Sequence, residues 1–177
     1  ARGVQQKVER NEVDFGIGSI WQQSKSLKFT PLFADNLELV FHRDHNLATS
    51  NKPVNWRMLK NETFLDSGIT KNMRSRQLLS ASKFDFPNIT TLLAMLRSNL
   101  GVSVLPSLAI PKSDPDLRSR LLQPPKKRDI CLSTRHNWTL SPAAEAMIET
   151  IVEETPTHLQ RLGLTPRAPD KQNTFEV

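Results

Sequence analysis

With 177 residues, 37% of them hydrophobic and 24% charged, the chain suits one domain or two small lobes, and no apolar stretch approaches the roughly 20 residues of a membrane helix. A single cysteine, Cys131, excludes an internal disulfide. The polar start, residues 1–12, carries no secretion signal, and the two features together point to the cytoplasm. The net charge of +6 invites a nucleic-acid reading, but Lys126-Lys127-Arg128 is the one tight basic cluster, set after Pro124-Pro125 in an expected loop. Tyr is absent and aromatics are 6%, too few for base-stacking platforms, so the charge reads as a solvated basic surface.

In chain order, Val4 to Glu12 reads as the end of a polar helix. Val13 to Gly18 reads as a strand, with Val13, Phe15 and Ile17 alternating and glycines that permit close approach of a neighbour or ligand. Ser19 to Pro31 reads as a loop, Leu37 to Phe41 as a second strand, and Trp56 to Leu59 as one helical turn. Thr63-Phe64-Leu65 is a short strand running into the turn Asp66-Ser67-Gly68-Ile69-Thr70 and then a helix to about Ser82. Phe84-Asp85-Phe86 is a brief strand. Asn88 caps a helix in which Ile89, Leu92, Leu93 and Leu96 follow helical spacing, with Gly101 placed to stop it. Val102 to Leu105 is a buried strand ended by Pro106. Leu108 to Pro125 reads as irregular, Ile130-Cys131-Leu132 as a strand, and Ser141-Pro142 as the start of the last helix. From Pro156 onward the chain reads as a mobile tail. Alternating strands and helices predict an α/β chain with a largely parallel sheet, whose ligands sit beyond the carboxyl ends of the strands.

Several candidate chemistries weaken on inspection. Gly16-Ile17-Gly18 lacks the third glycine of a dinucleotide fingerprint, since position 21 is Trp21. His42 and His45 are spaced to reach one metal, but with no cysteine nearby they read as a solvated turn. Ser103 lacks a nucleophile-elbow context. Asp14 reads as a strand-end hydrogen-bonding group in preference to a catalytic acid, and Cys131 as a buried thiol. The hydroxyl-bearing turn at Ser67, Gly68 and Thr70, and Thr90 with Thr91 at a second helix start, are better candidates. Free N–H groups at helix starts attract anions, and hydroxyls add donors. Each of these residues serves equally well as a plain helix cap.

Segments in this order resemble the effector-binding domain of LysR-type transcriptional regulators. Asn11-Glu12-Val13-Asp14-Phe15-Gly16-Ile17-Gly18 resembles that family's "helix, then D-x-(G/A)-I" segment. Residues 31–40 resemble its first crossing strand, and Asp44-His45-Asn46-Leu47-Ala48 is similar to its D-H-P-L-A, with Asn46 in place of proline. Trp56-x-x-Leu59 fits the short helix that follows. Residues 90–106 resemble its T-x-x-x-x-V-x-x-G-x-G-x-x-x-L-P, with Asn99 at the first glycine, and Arg128 to Leu132 and Leu140 to Ala143 fit its return strand and last helix.

The resemblance implies a two-lobed, periplasmic-binding-protein-like (type II) α/β fold with two hinge-crossing strands. Residues 1–34 would form a partial lobe I, 35–128 lobe II and 129–155 the return, with 156–177 a tail and the opening strands of lobe I missing. It implies a small effector, anionic by the charge balance, held in the cleft between lobes by Gly18, Ser19, Ser67, Gly68, Thr70, Thr90 and the backbone near Pro106. It further implies no metal, cofactor or catalysis, DNA contact only through a missing winged helix-turn-helix domain, and a homo-oligomeric full-length protein. A free-standing solute-binding protein and a small α/β enzyme are the rivals.

Overall fold

The computed structural model describes residues 2–66 and 84–162. The chain divides into two compact units: Asn36–Lys127 forms one, and the residues on either side of it form the other. The chain therefore changes unit twice, between Asp35 and Asn36 and between Lys127 and Arg128.

The first unit opens with helix α1 (Arg2–Glu9), followed by strand β1 (Phe15–Ser19) and the start of the long strand β2 (Leu27–His42). It is completed by the second half of strand β7 (Leu117–Arg135) and by helix α3 (Pro142–Arg161). β1 pairs antiparallel with β7, Phe15 opposite Thr134 and Ser19 opposite Ile130. The face of β1 is the reverse of the expected one: Gly16 is buried, while Val13 and Ile17 are exposed. The reason is α1, whose Val4 and Val8 lie so close over Gly16 that a Cβ there would come within 2.5 Å of Val4 Cγ1.

The second unit holds the rest of β2, strands β3 (Val54–Asn55), β4 (Leu65–Asp66), β5 (Phe84–Asp85) and β6 (Ser103–Pro106), helix α2 (Ile89–Arg97) and the first part of β7. Two 3-10 turns, Asn46–Thr49 and Trp56–Leu59, follow β2 and β3. β2 and β6 pair antiparallel over Leu37–Val40, while β3 pairs parallel with β7 at Leu122–Gln123 and β4 parallel with β5. The strand pairing is thus mixed, not largely parallel: β1–β7 and β2–β6 run antiparallel, β3–β7 and β4–β5 parallel.

The side-chain period of two along β2 feeds two cores. Leu37, Leu39 and Phe41 join Leu47, Val54, Trp56, Leu59, Phe64, Val102, Val104 and Leu122, whereas Val40 joins Leu65, Leu92, Leu96, Leu105, Ile110 and Leu117. Each fully buried Leu, Phe or Val stabilises by about 1.5–3 kcal/mol before conformational entropy is subtracted. Asn88 caps α2 as expected, its side chain accepting from the Thr90 N–H. The left-handed residue after α2 is Asn99 (φ 54°). Gly101 serves differently: a Cβ there would meet the Thr63 carbonyl oxygen at 2.2 Å, so the glycine lets Phe64 and Val102 bridge.

Two segments expected to be irregular are ordered. β7 begins at Leu117 and runs through Pro124, Pro125 and the basic cluster, which lies in a strand and not in a loop. Proline fits there because this stretch is solvent-facing and needs no ladder donor. α3 continues through Pro156 to Arg161, so residues 156–161 are helical, not tail. Leu159, at 4% exposure, supplies the reason: its burial offsets the one backbone bond that Pro156 cannot make.

Candidate functional site

In the first unit, Gly18 and Ser19 end β1, opposite Cys131 and Ile130. A Cβ on Gly18 would meet nothing within 4 Å among the described residues, so none of them demands glycine there. In the second unit, Thr90 lies in the first turn of α2, exposed, with its N–H held by Asn88 Oδ1 at 2.8 Å. Pro106 is buried at the end of β6, opposite Leu37, where it leads into a 3-10 turn over Ser107–Ala109. Ser67, Gly68 and Thr70 lie outside the described residues.

The structure resolves several weighed alternatives. Ser103 is fully buried and its hydroxyl donates to the Leu65 carbonyl at 2.7 Å, which makes it a tie between strands. His42 and His45 each use Nδ1 to accept a backbone N–H, from Asp44 and Leu47, and His45 Nε2 lies 3.3 Å from Glu62. The two Nδ1 lone pairs are thus occupied within their own turn, and no metal-binding cluster is found among the described residues. These histidines are largely buried caps and not a solvated turn. Asp14 is exposed and makes no hydrogen bond or ion pair among the described residues, so the expected strand-end bond is not formed. Cys131 is buried, as expected.

Three polar centres escaped the sequence reading. Glu38, on β2, accepts from the Ser107 hydroxyl and from the Ser119 hydroxyl at 2.6 Å, and Lys112 Nζ lies at 3.5 Å. Burial pushes this carboxyl up, but those hydrogen bonds and the Lys112 charge outweigh it and hold it below the ordinary glutamate range. Glu38 thereby pins the turn that follows Pro106. Arg120, 7% exposed, donates from Nε to the Lys52 carbonyl at 2.6 Å and from Nη1 to the Leu47 carbonyl at 2.9 Å. Asp35, fully buried, takes both Nε (3.3 Å) and Nη2 (3.0 Å) of Arg128 on Oδ2. The signal for all three was a charge at an otherwise apolar position of a strand. For Arg120 it was hidden because the strand itself was missed.

Comparison with known proteins follows this geometry. A family model described as the LysR substrate binding domain matches residues 1–156. The uncharacterised HTH-type transcriptional regulator YbhD of Escherichia coli (strain K12) is 29% identical over 154 residues, covering 80% of this chain and 48% of that protein. YfeR of Shigella flexneri, also an uncharacterised HTH-type regulator, is 24% identical over 85% of this chain and 52% of its own length. The chain thus spans about half the length of these relatives.

Among solved structures, the effector-binding domain of QuiR in complex with shikimate is similar in fold, with a TM-score of 0.74 at 18% identity, covering 89% of this chain and 79% of that one. The Synechocystis PCC6803 CcmR regulatory domain in complex with 2-PG gives 0.76 at 18% identity, covering 86% and 78%. The strand pairings, the two passages between units and the family match agree with one another: the chain belongs to the LysR substrate-binding-domain family.

Proposed function

We propose that this chain senses a small anionic metabolite on behalf of a LysR-type transcriptional regulator. The observation that carries the reading is the family match over residues 1–156, joined by likeness in fold to regulatory domains solved with small ligands, one of them the carboxylate shikimate. In the first unit the contacts fall on Gly18 and Ser19. In the second they fall on Thr90 and the backbone at Pro106, with Ser67, Gly68 and Thr70 completing the set. Ser19, Ser67, Thr70 and Thr90 offer hydroxyl donors to an anion, whereas the Thr90 N–H is already taken by Asn88 Oδ1 and Pro106 has none. Among the described residues of the set, neither the Ser19 nor the Thr90 hydroxyl is paired with a base, which favours binding over turnover.

The response is a population shift. An effector that prefers one conformation of the chain biases it by its differential affinity, and the bias passes to a DNA-binding domain elsewhere in the regulator. The regulator itself acts in the cytoplasm as a homo-oligomer and grips DNA through its winged helix-turn-helix domain.

A thermal-shift screen of small carboxylates and inorganic anions tests this. A true effector at 100 times its Kd adds about 2.7 kcal/mol of stability, a rise of roughly 5–10 °C in Tm for a chain of this size. Turnover of a substrate by the purified chain, with no anion raising Tm, would favour the enzyme reading.

A further inference from the structure

We propose that Asp35 and Arg128 form a clamp that fixes where the two crossing strands bend. Asp35 is the last residue before the second unit and Arg128 the first after it. One sits on β2 and the other on β7, which are hydrogen-bonded neighbours. The Asp35 side chain has no solvent exposure and the Arg128 side chain 29%. A buried carboxylate deprived of its cation is left uncompensated, so separating these two strands at this level is costly. The backbone just beyond the pair has the opposite character. Pro124 and Pro125 have no N–H to give the ladder, and residues 123–125 and Lys127 are exposed. A stiff, charge-locked rung thus adjoins a stretch short of donors and of burial. Flexure is confined to the second-unit side, at Asn36 on one strand and residues 124–127 on the other, and stops at the clamp. Asp35 Oδ1 is buried without a hydrogen-bond partner among the described residues. Among the described residues all the carboxylate's bonding therefore rests on Arg128, so that one arginine should release both strands.

Hydrogen–deuterium exchange of the 177-residue chain, read amide by amide, tests this without any ligand. In the unaltered chain the amides of Asn36, Lys126 and Lys127 should exchange at least tenfold faster than those of Asp35, Arg128 and Asp129. In Arg128→Met, which keeps length and removes charge, the amides of residues 34, 35, 128 and 129 should speed up tenfold or more. Those of Leu39, Val104 and Leu105 in the second unit, and of Gly16 and Leu132 in the first, should stay within twofold. Arg128→Lys, which keeps the charge but loses the forked contact, should fall between. Equal rates on the two sides of each crossing in the unaltered chain would overturn the clamp. So would a uniform acceleration through both units in Arg128→Met, the mark of a merely structural pair, or no change at all. If Arg128→Met does not fold, the unaltered profile and Arg128→Lys decide alone.

Discussion

Gly16 and Gly18 stand two residues apart on β1, yet a methyl group added to each meets different surroundings. At Gly16 it would press on Val4, Val8 and the Ser133 hydroxyl, so α1 must shift. Gly16→Val should cost about 1–3 kcal/mol of stability by overpacking, read by chemical denaturation. At Gly18 no described residue lies within reach. Gly18→Ala should leave stability unchanged or raise it by about 0.5–1 kcal/mol, because alanine narrows the unfolded ensemble. The sequence marked both glycines as places of close approach. It could not say which approached protein, because the way α1, which directly precedes β1, folds back over the strand is a tertiary property.

Glu38 gives a pH dependence at the same scale. Its folded carboxyl is held below the ordinary value of 4.5, so its contribution is fully present above that value and is lost as pH falls through the lower folded value. Glu38→Gln should flatten the acid side of a stability-against-pH curve below about pH 4.5. Some slope should persist, because Asp114 is also held low: burial raises it, but the Asp116 N–H, the Arg97 guanidinium and the Leu117 N–H more than offset this. An acid limb identical in the variant and the unaltered chain would remove Glu38 from the account.

At the scale of elements, α2 was legible from sequence because its signals are local: Asn88 as cap, Leu92 and Leu96 on one face, Asn99 at the left-handed turn. Asn88→Ala should lower stability by about 1 kcal/mol through the lost Thr90 N–H bond, seen as a shift of the denaturation midpoint with unchanged slope. The elements that were misread are those whose local signals point the wrong way. Proline argued against β7 and against the end of α3, yet both form, because an exposed strand segment needs no donor and because Leu159 is buried. Leu159→Ala should cost about 2–5 kcal/mol. A cost under about 0.5 kcal/mol would return residues 156–161 to the status of tail.

At the scale of the whole molecule, the order of short similar segments indicated the family well before any single segment could, since spacing over some 150 residues constrains topology far more than a lone G-x-G or D-H pair does. The resemblance set the passages at 34/35 and 128/129, whereas the compact units divide at 35/36 and 127/128. The proposed contact set for an effector rests on residue types alone, hydroxyls and N–H groups at strand-to-helix junctions, because affinity depends on distances that residue types do not encode. Of those junctions, Thr90 and the end of β1 are exposed or half-exposed, while Pro106 is buried and offers backbone alone.

The central claim, anion sensing by these junctions, is met most directly by calorimetric titration of the best-stabilising carboxylate or anion into three proteins: the unaltered chain, Ser19→Ala and Thr90→Val. Loss of one hydrogen bond to a charged ligand is worth about 1.5–3 kcal/mol, so each variant should bind at least tenfold more weakly while melting, unliganded, within a few degrees of the parent. Equal Kd values in all three proteins, for a compound that does bind, would contradict the account.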